Sequence, residues 1–260
     1  TLDQRANTQD ARLDVLSAQV TIEQNECQTL AQQWFPQFNQ LKGRAEGGNE
    51  IYNIAQRVQA INSQCIGRVG AEVRPMILRV LTARSIDEDA LDILEIGTLF
   101  GASLATIYDC CFGFFHHIHI TAVDPLTGYY QRTADPVTMV PVTAPVFHRN
   151  MARLDIPASD YTLICQKSQD TNAIVEASKR TYNLLIIDGD HTDFGVSHDY
   201  RSYRPMVRDG GYIIFDDWGD TKWGVDSFIQ RELSSQTDIH FVGADHRTAI
   251  YRTRYKTGEQ

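Results

Sequence analysis

The chain has 260 residues, 42% of them hydrophobic, enough to bury a full core in one large domain or in a domain with an appendage. A net charge of −9 argues against unspecific attraction to nucleic acid or anionic lipid. No apolar run approaches the roughly 18 residues of a membrane-spanning helix and no basic-then-apolar start reads as a signal peptide, so the expected compartment is cytoplasmic.

Apolar or small residues recur at steps of three and four through Leu13, Leu16, Val20, Cys27, Leu30 and Trp34, with Glu23 interrupting the seam. That spacing predicts a long amphipathic helix. Pro36 and the stretch "KGRAEGG" break it, and a second helical pattern runs through Ile51, Ile54, Val58, Ile61 and Cys65. Residues 1–85 are read as an all-helical extension. It either packs against the rest of the chain or forms a coiled-coil or dimer contact that would make the protein a homo-oligomer. The start at Thr1, without Met, leads us to expect a piece of a larger multidomain enzyme.

Residues 86–260 alternate between strands and helices. "LDILEIG" reads as a strand, "ASLATIYDCC" as a helix, "HIHITAVD" and "YTLICQ" as strands, and "TNAIVEASKR" as a helix. "NLLIID" and "GYIIFDD" come next as strands, and "HFVGA" and "TAIYRT" finish the sheet. Continuous apolar strands between helices imply a mostly parallel sheet covered on both faces, the doubly wound α/β architecture. Such sheets bind ligands at the carboxyl ends of their strands, where Asp124, Asp188, Asp216 and Asp217 fall. The cysteines, five in all and without C-x-x-C spacing, suggest neither a disulfide framework nor a zinc site.

The first strand and turn, "LEIGTLFGAS", lack the second glycine of a dinucleotide fingerprint, because Leu99 stands there between Gly97 and Gly101. Glu95 before the turn suits a ligand carrying positive charge. Asp124, at the end of the next strand, suits a ribose diol. Several carboxylates at buried strand ends need a compensating charge, and an all-oxygen set prefers a hard cation such as Mg²⁺.

The E-x-G-x-x-x-G turn resembles the first motif of the class I S-adenosylmethionine-dependent methyltransferases, a Rossmann-like fold. "SQD" in "CQKSQD" and the acids ending the fourth and fifth strands are similar to the metal-dependent, catechol-type O-methyltransferases. "DGDH" followed by "GGYIIFDDW" resembles the subgroup of macrolide-sugar O-methyltransferases and cephalosporin hydroxylase-like proteins. The resemblance covers roughly residues 75–255. It implies S-adenosylmethionine held by Glu95, Gly97, Gly101, Ser103 and Asp188, with Asp124 on the ribose and Ser168 and Gln169 on the adenine. It implies a divalent metal on Asp188, Asp216 and Asp217, and His191 as general base; Asp190 shares the loop without the family position. The implied substrate is a small-molecule or glycan hydroxyl, with Tyr129, Tyr130, Trp218 and Trp223 as aromatic walls. A phenol or catechol acceptor, a hydroxylase-like oxidation and a non-catalytic cofactor-binding module are the alternatives on the same fold.

Overall fold

The computed structural model describes residues 24–38, 40–43, 48–130 and 132–254. Three helices come first: α1 (Gln24–Trp34), α2 (Gly48–Gln64) and α3 (Val73–Arg84). Cys27, Leu30 and Trp34 of α1, and Ile51, Ile54, Val58 and Ile61 of α2, are buried, so the three-and-four spacing marks the inward faces. Leu13, Leu16 and Val20 lie outside the described residues. Helix α3 is different, because all its residues except Arg74 are buried. A helix apolar nearly all round belongs inside a fold, and Arg79 sits in the middle of this one.

The alternating part runs β1 (Ala90–Ile96), α4 (Ala102–Cys111), β2 (His117–Val123), α5 (Ala144–Arg153), β3 (Tyr161–Ile164) and α6 (Thr171–Ala177). It continues with β4 (Tyr182–Ile187), α7 (Asp193–Tyr203), β5 (Val207–Asp216), a single turn α8 (Val225–Phe228), β6 (Ile239–Asp245) and β7 (Thr248–Thr253). The strands form one sheet in the order β3-β2-β1-β4-β5-β7-β6, in which β7 runs antiparallel to both neighbours. This is the Rossmann-like arrangement expected from the alternation.

Side chains of the central strands divide between two apolar clusters. Ile93, Leu184, Ile186 and Ile214 face the side of α2, α3 and α4, while Leu94, Leu185, Ile187 and Phe215 face α7 and α8. Burial on both faces is why these strands read as unbroken apolar runs. Helices α1–α3 share the first cluster with β1 and α4.

Strand β1 lies between β2 and β4, and the chain leaves it first to one side and then to the other. The carboxyl ends of β1 and β4 therefore flank the crevice where the order reverses, the place where such sheets bind ligands. Asp188 N–H donates to the Ile96 carbonyl at 2.9 Å, which ties the two strand ends together there.

Candidate active site

The turn after β1 is built from left-handed backbone. Gly97, Leu99 and Gly101 have φ of 81°, 54° and 76°. At Gly97 a Cβ would stand 2.1 Å from the Asp188 carbonyl oxygen, so the glycine lets the β1 turn lie directly on the β4 turn. Gly101 is pressed against Phe147 and Met151 and does not line the cavity. Its role in the structure is to start α4. Leu99 has no such excuse, and a strained non-glycine residue here is typical of a working site.

Asp124, at the end of β2, accepts hydrogen bonds from the backbone N–H of Thr98 (2.9 Å), Leu99 (3.1 Å) and Leu126 (2.8 Å). Burial raises its pKa, against the pull of these three amides. The carboxylate that was expected to serve a ribose thus also anchors the glycine turn, with one lone-pair direction left over. Ser168 and Gln169, after β3, line the same cavity. The Ser168 carbonyl accepts a bond from the Tyr203 hydroxyl at 2.9 Å, which fixes that loop on α7.

Sequence reasoning missed the group that sits between the strand-end acids. Arg79 of α3 is fully buried, and its Nη1 donates to Glu95 Oε1 at 3.2 Å. Its Nη2 donates to Asp188 Oδ2 at 2.8 Å and to Asp216 Oδ1 at 2.9 Å. One guanidinium therefore joins the ends of β1, β4 and β5. Glu95 was expected to face the positive charge of a ligand; it is instead wholly enclosed, bonded to Arg79 and to the Ser103 hydroxyl at 3.0 Å. Burial pushes the Glu95 carboxyl up to about 7 even against the Arg79 charge. Asp188 is pulled below the usual range, since Arg79 and His191 outweigh its burial, whereas burial and the Asp188 charge push Asp216 up.

His191 lies just beyond the tip of β4. Its Nε2 lies 3.4 Å from Asp188 Oδ1 and its Nδ1 2.6 Å from Asp217 Oδ2. Burial lowers its pKa, but the hydrogen bonds and charges of Asp188 and Asp217 win and lift it to about 10. Asp188, His191 and Asp216 each bring one ligand-capable atom within 4.8 Å of the others. Asp217 does not join them. Its φ of 60° turns the carboxylate toward His191 and toward Arg247, which bonds Asp217 and Asp220 from the β6–β7 turn. Adjacent residues on a strand point to opposite faces, and this left-handed step sends the second acid of the pair elsewhere.

A cavity of about 710 Å³ unites these groups, lined among others by Gly97, Asp124, Ser168, Asp188, His191 and Asp216. Its size suits a cofactor with a small acceptor. Tyr129, Tyr130 and Trp223 form one wall; Tyr130 stacks on Trp223 with centroids 5.7 Å apart, and Trp223 lies 5.4 Å from the His191 ring. Trp218, the other expected wall, packs on the second apolar cluster instead. Val58, Arg68, Val69 and Val73, from α2, α3 and their connection, line the cavity as well.

Comparison with known proteins agrees with this layout. Residues 94–218 match the family described as "Methyltransferase domain". The matched stretch, just under half of the chain, is similar to that family. It contains the end of β1 with its glycine turn, Asp124, the Ser168–Gln169 loop, His191 and both acids that end β5. An O-methyltransferase from Bacillus cereus in complex with SAH superposes with a TM-score of 0.51 at 12% identity, covering 90% of this chain and all of that one. The cofactor-bound protein Rv0187 from MTB has a TM-score of 0.50 at 14% identity, covering 79% of this chain and 90% of that one. The fold is that of a class I methyltransferase. In sequence the chain is 28% identical over 143 residues to the uncharacterized protein R132 of Acanthamoeba polyphaga mimivirus, a match that takes in 54% of this chain and 58% of that one. The chain thus spans little more than half the length of this relative. Among the described residues no helix is long and apolar enough to cross a membrane.

Proposed function

We propose that the protein is an S-adenosylmethionine-dependent O-methyltransferase acting on a hydroxyl of a sugar, with the help of a divalent cation such as Mg²⁺. The observation that carries this reading is the meeting, in one cavity, of the glycine turn with Asp124 and the Asp188–His191–Asp216 group. The sugar is favoured by the sequence resemblance and by the stacked Tyr130–Trp223 wall beside a site able to hold a vicinal diol.

The cofactor's sulfonium supplies the methyl group, which passes to the acceptor oxygen by in-line displacement. Glu95 and Ser103 support the glycine turn from beneath, and Asp124 with the Ser168–Gln169 loop takes the nucleoside. The donor set fits a hard cation: Asp188 and Asp216 each keep one oxygen that Arg79 does not bond. Such an ion would make the acceptor hydroxyl more acidic. His191 is left as base rather than ligand because its Nδ1 lies in ion-pair contact with Asp217, 2.6 Å away, which leaves Nε2 to accept the proton of the hydroxyl. Asp217 then serves as the residue that orients the base.

Calorimetry with S-adenosylmethionine and with NAD tests the cofactor. We expect the first to bind and the second not to. Binding of NAD alone, or of neither, would remove the reading. Excess EDTA should stop transfer and added Mg²⁺ should restore it, with the fold intact throughout because the core does not depend on the ion.

A further inference from the structure

The charge that sits between the strand ends comes from outside the matched domain. Arg79 lies on α3, ahead of residue 94, and is wholly buried, as are Met76, Ile77, Leu78 and Val80 of the same helix. Its guanidinium cannot swing aside into water, since no part of it is exposed. It bonds an oxygen of each of the two carboxylates that would hold a cation, at 2.8 and 2.9 Å, and a third, Glu95, lies behind it. Any divalent ion on Asp188 and Asp216 must therefore share them with a fixed positive charge.

We propose that Arg79 is a resident counter-cation that competes with the divalent ion for Asp188 and Asp216 and so keeps the affinity for that ion low. Like charges held close together inside a protein repel strongly, and a guanidinium cannot lose its proton to relieve this. Glu95 moderates the effect by taking part of the guanidinium's field away from the two ligands. Arg247, although near, differs in kind. It is half-exposed and pairs with Asp217 and Asp220, not with the two ligand carboxylates. The inference rests on the proposed cation site, and it makes Arg79 a positioning residue of that site rather than a catalytic one.

The test is Mn²⁺ affinity, measured by electron paramagnetic resonance on the full chain without cofactor or acceptor, at one mildly alkaline pH. Arg79→Gln should bind Mn²⁺ tighter by roughly tenfold or more. Arg79→Lys, which keeps the charge, should stay within about threefold of the unaltered chain, and Arg247→Gln should change the affinity much less than Arg79→Gln. Glu95→Gln should weaken binding by several-fold, and it decides the matter if Arg79→Gln does not fold. Unchanged or weaker binding in Arg79→Gln, an equal gain in Arg247→Gln, or an unchanged Glu95→Gln would overturn the proposal. Mn²⁺ binding absent from every variant would overturn it as well. Turnover by the unaltered chain that persists in excess EDTA overturns only the metal reading under the proposed function, because affinity is measured here without reaction.

Discussion

Nδ1 of His191 lies 2.6 Å from Oδ2 of Asp217, so the second acid at the end of β5 grips the imidazole from behind while Nε2 faces Asp188 and the cavity. A carboxylate that fixes one ring nitrogen sets the tautomer of the other. His191→Ala should lower turnover by roughly 10²- to 10⁴-fold, with little change in cofactor affinity. Asp217→Asn should lower turnover too, by removing the negative charge that supports the imidazolium once the proton is taken. Steady-state kinetics at saturating cofactor checks both; near-normal rates in the two variants would assign the proton to another acceptor.

The same contact fixes a pH dependence. Without a cation, Asp188 and Asp217 lift His191 from 6.5 to about 10. Because the folded value lies above the unfolded one, the charged imidazole stabilises the fold fully below about 6.5, and that stabilisation is lost as pH rises through about 10. Thermal unfolding of the cation-free chain should therefore fall off across this window, and His191→Gln should flatten the fall. An NMR titration should find the ring charged well above neutrality, and lowered when Mg²⁺ neutralises its carboxylate neighbours. An imidazole titrating near 6.5 in the cation-free chain would contradict the geometry.

Asp124 joins the glycine turn to the expected ribose site. Asp124→Ala should weaken cofactor binding by about 1.5–3 kcal/mol through loss of charge-assisted hydrogen bonds. The turn amides of Thr98 and Leu99 lose their acceptor at the same time. Calorimetry on the folded variant measures this, and an unchanged affinity would exclude Asp124 from the cofactor.

Gly97 answers to packing before chemistry. Gly97→Ala places a methyl group on the Asp188 carbonyl at a positive φ, and it should destabilise the fold by at least about 1–3 kcal/mol. Denaturant melts should register the loss even with no ligand present. A neutral outcome would mean that the β1 and β4 turns do not lie so close.

The strands were legible because each is an apolar run stopped by a turn or an acid, as in "NLLIID" and "GYIIFDD". Asp188, Asp216 and His191 could therefore be named together from the sequence. Helix α5 does not stand out between the strands "HIHITAVD" and "YTLICQ", because Pro145 stands in its first turn, the one part of a helix that tolerates proline. Helix α7 was masked by Gly195, which is there because a side chain would strike the Asp190 backbone 2.4 Å away. Asp217 was grouped with Asp216 because a sequence does not carry the sign of φ. Arg79 left one signal that went unread: a single arginine inside "PMILRVLTA", a stretch apolar enough to be buried, must carry its anionic partners with it.

The central claim is transfer of a methyl group to oxygen, and mass spectrometry of a reaction with methyl-labelled S-adenosylmethionine and a panel of glycosides bearing vicinal hydroxyls tests it most directly. The account predicts label on a sugar oxygen, S-adenosylhomocysteine in equal amount, and loss of both in His191→Ala. Label on catechols but not on glycosides would replace the acceptor and leave the reaction standing. Binding of S-adenosylmethionine without label on any hydroxyl, sugar or phenol, would contradict the account.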